Sequence, residues 1–158
     1  MLLGQVRHFI DNSGEMSFII VIGVMEQNLG DYQSEEVALF ELTRRLAVGL
    51  KPQKIFLFGS RARRDHRPDS DFDFLVVTNF EDGENGRDWG WVRKPLRGSG
   101  VGCDIVPVRI DDFEAELHSN ISMIPSIMRE AVEVYDVKEG FRIPDPCGSR
   151  TRSGQMFA

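Results

Sequence analysis

The sequence predicts an α/β fold of the α+β kind: a small, mixed, twisted β-sheet flanked by helices. Three observations carry this. Short apolar runs at Ile55–Phe58, Asp71–Val77 and Asp104–Val108 are each bounded by turn residues, as buried strands are. A longer stretch from Ser34 to Leu50 has apolar residues at helical spacing. The sheet runs and the helical stretches alternate along the chain.

The elements follow in order. Residues 1–32 form an N-terminal extension whose order is left open; Met16–Met25 (MSFIIVIGVM) reads equally as a buried strand or a short helix. Ser34 is an N-cap signal, with Glu35 and Glu36 in the first turn. Val37, Phe40, Leu42, Leu46 and Leu50 form the apolar stripe, and Lys51-Pro52 ends the helix. Ile55–Phe58 then stops abruptly at Gly59-Ser60, before a short basic helix. Pro68-Asp69-Ser70 is a turn, followed by the DFDFLVV strand. Residues 79–102 read as a loop with one short helix near Trp89 and Trp91. Pro107 places the 104–108 strand near a sheet edge. Asp111-Asp112 opens a helix, Ile121–Ala131 gives another with Pro125 in its first turn, and Val132–Val137 is a last strand. The folded domain is expected over 33–137, with 138–158 as a loose tail. Helices are expected mainly on one sheet face, leaving a groove on the other.

Composition narrows the function. The chain has 158 residues, 41% hydrophobic and 28% charged, which suits one domain with a real core. A formal net charge of -6 argues against coating nucleic acid or an anionic membrane. Cys103 and Cys147 are too few for a disulfide framework, and Cys103 is expected to be a packed thiol. The longest apolar run, Phe18–Met25, is too short to span a bilayer, and the N-terminus is a poor signal peptide. A cytoplasmic location is therefore expected.

The chemistry concentrates between Gly59 and Asp104. On a strand, Asp71 and Asp73 point to one face while Phe72 and Phe74 point into the core. Two adjacent carboxylates repel, and a hard divalent cation is the cheapest relief. If the 104–108 strand pairs with this one, Asp104 reaches the same face, giving the three carboxylates a two-metal site uses. Gly59-Ser60, at a strand-to-helix turn, lets backbone amides approach a phosphate. Arg61, Arg63, Arg64 and Arg67 follow at once, an arginine run placed to supply a phosphate clamp.

The stretch GSRARRDHRPDSDFDFLVV resembles the nucleotidyltransferase superfamily that includes DNA polymerase beta, and most closely its minimal nucleotidyltransferase (MNT) branch. The signature is an apolar strand, Gly-Ser, ten residues, Asp-x-Asp and a later third Asp, matched here by Gly59-Ser60, Asp71-Phe72-Asp73 and Asp104. The resemblance covers about residues 34–136 and implies a polymerase-beta-like fold. It implies Asp71, Asp73 and Asp104 as metal ligands for two Mg2+ ions (Mn2+ as a substitute). It implies Gly59, Ser60, Arg61 and Arg63 as nucleotide-binding residues, ATP as substrate, and a role for Asp104 in deprotonating the acceptor. Larger members carry an acceptor-binding helical domain, so the acceptor here is expected on another subunit or partner. In the MNT branch that partner is a HEPN-type ribonuclease toxin, adenylylated on a tyrosine by its antitoxin. Two other readings stand beside it: a non-catalytic antitoxin that masks its toxin, and an adenylyltransferase of an aminoglycoside-like compound. Position 64 departs from the branch, which usually has Gly where this chain has Arg64; a left-handed conformation there would cost about 1 kcal/mol.

Overall fold

Helix α1 (Glu35–Leu50) begins where the cap signal placed it: the Ser34 hydroxyl accepts the Val37 N–H at 3.3 Å. It ends at Lys51, held in the left-handed region at φ 47°. The face it buries is rotated slightly from the expected stripe. Ala38, Leu42, Leu46 and Leu50 are buried, whereas Val37 and Phe40 are only partly covered. Phe40 instead meets the ring of Phe141, with centroids 5.2 Å apart.

The computed structural model describes residues 5–10, 16–21, 27–79 and 89–143, the first two stretches by backbone alone. Strands β1 (Gln5–Ile10) and β2 (Met16–Val21) pair antiparallel in their own two-stranded sheet. Of the open alternatives for Met16–Met25, its first six residues are strand. The main sheet comprises β3 (Lys54–Phe58), β4 (Phe72–Val77), β5 (Cys103–Val108), β6 (Val132–Asp136) and β7 (Gly140–Phe141), in the order β5-β4-β3-β6-β7. Only β4 and β5 run parallel; the other pairs are antiparallel, so the sheet is mixed as expected. β5 is an edge strand, the position its Pro107 called for.

Helices cover both faces, contrary to the one-sided expectation. On one face α1, α3 (Trp89–Arg93) and the 3-10 turn Lys94–Leu96 bury Ile55, Leu57, Phe72, Phe74, Val76 and Ile105. On the other, α4 (Ile110–Glu116) and α5 (Ile124–Met128) cover Phe56, Leu75, Val77 and Val108. The unbroken run Leu75-Val76-Val77 carries this information, because a strand buried on both faces has no polar alternation. The start of β4, with Asp71 and Asp73, lies beyond these covering helices on the second face.

Two boundaries also move. β7 pairs with β6 past residue 138, and Ile143 packs on the core, so the domain runs beyond the tail's expected start. At the other end Leu29 is buried and Tyr32 packs against the same core, so both join the core ahead of residue 33. Cys147 and the Trp89 side chain lie outside the described residues. Cys103 packs against the core, and burial pushes its thiol up to about 12, as suits a packed thiol. Among the described residues no helix is long and apolar enough to cross a membrane.

Candidate active site

The parallel pairing of β4 and β5 sets Asp73 directly beside Asp104, and Asp71 precedes Asp73 on the same face. Antiparallel pairing of β3 and β4 brings Phe58, the residue before Gly59, opposite Asp73. Gly59 sits at φ 71° and opens α2 (Gly59–Arg63). Its Cα lies so close to Asp73 that a Cβ added there would stand 2.2 Å from Asp73 Oδ2. Glycine is thus required twice, for its positive φ and for the close approach. The turn and the carboxylates therefore form one structure.

Asp73 is held above the ordinary aspartate range. Burial raises its carboxyl first, and the charges of Asp104 and Asp71 raise it further; Arg61 and Arg63 only partly offset this. The expectation of a closed three-carboxylate cluster is not met. Among the described residues, no three carboxylate, imidazole or thiol groups stand close enough to hold a metal ion. Like charges at this spacing repel, and Asp104 turns to Arg93, whose Nη2 donates to its Oδ1 at 2.7 Å. Both members of that pair are more than half exposed, so it holds Asp104 by about 1 kcal/mol at most. A cation with oxygen preference fits the donor set, since its charge would offset both the burial and the neighbouring carboxylates that raise Asp73.

Asn28 supports this face and had no signal in the sequence. Its Nδ2 donates to Ser70 O at 3.0 Å, to Asp71 Oδ1 at 3.1 Å and to Gly102 O at 3.1 Å. Its Oδ1 accepts the Gly102 N–H at 2.6 Å. One side chain thus ties the starts of β4 and β5 and orients Asp71. Its partners lie 42 to 74 residues away, beyond any local pattern.

The arginine run divides. Arg61 does not face the turn: its side chain is 2% exposed, its Nε and Nη2 donate to Ser70 O, Nη1 meets Glu35 at 3.2 Å, and its guanidinium stacks 3.9 Å over the Phe72 ring. Arg61, implied as a nucleotide contact, is thus engaged by Ser70, Glu35 and Phe72. Arg63 stays accessible, paired with Asp65 and Glu130. Arg64 adopts φ 62°, so the left-handed position is real and carries a non-glycine residue. Ser60, Arg63, His66, Arg67 and Asp71 help line an open cleft of about 500 Å³ beside the turn.

A family model, the nucleotidyltransferase domain, matches residues 41–137, more than half of the chain, and spans Gly59 through Asp104. The chain belongs to the nucleotidyltransferase domain family. It is also similar to the crystal structure of a proposed nucleotidyltransferase from Sulfolobus solfataricus, at 20% identity and a TM-score of 0.40, over 71% of this chain and 97% of that one. No curated protein matches the chain significantly.

For a nucleotidyltransferase, the Gly59 contact makes a sharp prediction. Gly59→Ala should destabilise the fold by about 1–2 kcal/mol, from the left-handed φ and the displaced Asp73 carboxylate. Nucleotide transfer should fall further than the loss of folded protein explains. Urea melts beside transfer assays on the folded protein check this; equal losses in both would show that the contact only serves stability.

Proposed function

We propose that this nucleotidyltransferase moves AMP from ATP to a hydroxyl, that the hydroxyl is a tyrosine of a HEPN-type ribonuclease toxin, and that the protein serves as the antitoxin. The observation that supports transfer is the Asp73–Asp104 register with Gly59 packed against Asp73, which joins an acidic face to a phosphate-accepting turn. The MNT-like signature supports the toxin partner.

Asp71, Asp73 and Asp104 would hold divalent metal, Mg2+ in this reading. When bound, it neutralises the phosphates and lowers the barrier to displacement at phosphorus. The Gly59 N–H and Arg63 hold the terminal phosphates. Asn28 keeps Asp71 oriented. Asp104, freed from Arg93, accepts the proton of the acceptor hydroxyl. The acceptor oxygen forms a bond to the α-phosphorus, the bond to the bridging oxygen breaks, and pyrophosphate leaves. An adenylyl group on the toxin adds negative charge and bulk, which opposes RNA binding.

The test is label transfer from ATP labelled at the α-phosphate, with Mg2+ and the co-encoded HEPN-type protein. Label on a tyrosine of that protein, lost on chelation of the metal, is the expected result. Toxin neutralised without label would instead favour the masking antitoxin, and label on an aminoglycoside without any protein partner would favour the small-molecule reading.

A further inference from the structure

Glu130, between α5 and β6, has both carboxylate oxygens engaged at the turn. The Gly59 N–H donates to Oε1 at 3.0 Å, and Arg63 Nη1 donates to Oε2 at 2.8 Å. These two donors come from residues 71 and 67 positions earlier, so the contact is built by the fold and not by local sequence. They are also the donors that the proposed function assigns to the terminal phosphates. The single Gly59 N–H cannot serve a carboxylate and a phosphate together, and a carboxylate seated beside Arg63 repels an incoming phosphate. The Glu130 side chain is 29% exposed and that of Arg63 44%, so solvent is available to the carboxylate when it swings away.

We propose that Glu130 is a resident substitute for the terminal phosphate. It holds the Gly59–Arg63 seat in the empty protein, yields it when a nucleoside triphosphate binds, and retakes it as pyrophosphate leaves. The inference rests on the reading that this turn holds the phosphates. Glu130 then sets affinity by the length of the phosphate chain. A triphosphate or pyrophosphate must displace it, whereas AMP, with no phosphate to reach the seat, leaves it in place. The carboxylate lowers affinity for the triphosphate and in return prevents pyrophosphate from trapping the enzyme.

The experiment titrates the full-length wild type, Glu130→Gln and Glu130→Ala with Mg2+ plus pyrophosphate, Mg2+ plus a nonhydrolysable ATP analogue, and AMP. Calorimetry gives the affinities and the Gly59 amide resonance reports the seat; thermal melts verify folding, and the alanine variant serves if the glutamine one is unstable. Pyrophosphate and the triphosphate should bind about tenfold more tightly to both variants, as expected for one removed charge-assisted contact, with AMP unchanged. The Gly59 resonance should move on binding and also shift between the empty wild type and Glu130→Ala. Equal or weaker affinity in the variants, with Gly59 still responding to ligand, would overturn the role of Glu130 and leave the phosphate seat standing. No binding and an unmoved Gly59 in all three proteins would overturn both.

Discussion

Asp73→Asn is expected to abolish nucleotide transfer while making the metal-free protein more stable. Outer partners of metal ligands typically cost 10- to 100-fold when removed, so a direct ligand should cost about 100-fold or more. Stability moves the other way because Asp73 is the acid that the fold penalises. Burial and the charges of Asp104 and Asp71 raise its carboxyl above the ordinary aspartate range. A carboxyl raised by folding contributes stability that is fully present below its unfolded pKa, and that contribution is lost as pH rises through the raised folded value. At neutral pH the ionised group therefore opposes folding, and the neutral amide of Asn removes that opposition. Thermal melts from pH 3 to 8 should show a larger acid-side gain in the wild type than in the variant. Adding Mg2+ should raise the wild-type melting temperature and leave Asp73→Asn unmoved. If the variant transfers AMP at the wild-type rate, or if both proteins respond alike to Mg2+, the metal role of Asp73 is excluded. The same variant also separates catalysis from masking: a protein that neutralises its toxin by binding alone should do so undiminished with Asn at position 73.

The parts of this site that were legible in the sequence are those set by short-range rules. Alternation on a strand placed Asp71 and Asp73 together, and a parallel neighbour was enough to bring Asp104 beside them. Gly59 was legible because Gly-Ser ends an apolar strand with ten residues between it and Asp71-Phe72-Asp73. What escaped was long-range. Asn28 and Glu130 reach the site across 42 to 74 residues, and neither carries a local pattern that sets it apart from other loop amides and carboxylates. The two-sided cover of the sheet was written in Leu75-Val76-Val77, but the alternating Asp-Phe pairs just before it suggested one open face.

Charge explains the arrangement of side chains on the acidic face. Three carboxylates share one face, and the protein meets that repulsion with cations at different distances. Arg93 takes Asp104 directly, while Arg61 and Arg63 act on Asp73 through space. Glu130 in turn occupies Arg63 and the Gly59 N–H. The Arg63 and Arg93 pairs are exposed enough to exchange. Arg61 is the exception, because it cannot be released without opening the core.

Arg61→Ala should therefore behave as a core mutation and not as a lost phosphate contact. Removing one partner of a buried ion pair costs about 3–5 kcal/mol. Glu35 is about one-third exposed and also meets His66 Nε2 at 3.0 Å, which places this case at or below the lower end, about 2–3 kcal/mol. Ser70 O keeps the Asn28 amide as a donor, so its carbonyl is not orphaned, but Phe72 loses the cation over its ring. Arg61→Lys should recover less than half, because an ammonium cannot bond the Ser70 carbonyl through two nitrogens while spanning to Glu35 and lying flat on the ring. Urea denaturation should show the fall in midpoint, and the affinity of the folded fraction for Mg2+ with a nonhydrolysable ATP analogue should stay within about twofold of wild type, since the guanidinium is engaged by Ser70, Glu35 and the Phe72 ring. An Arg61→Ala protein with wild-type stability and sharply weaker nucleotide binding would reverse the assignment and return Arg61 to the phosphates, with its burial then opening when the nucleotide binds.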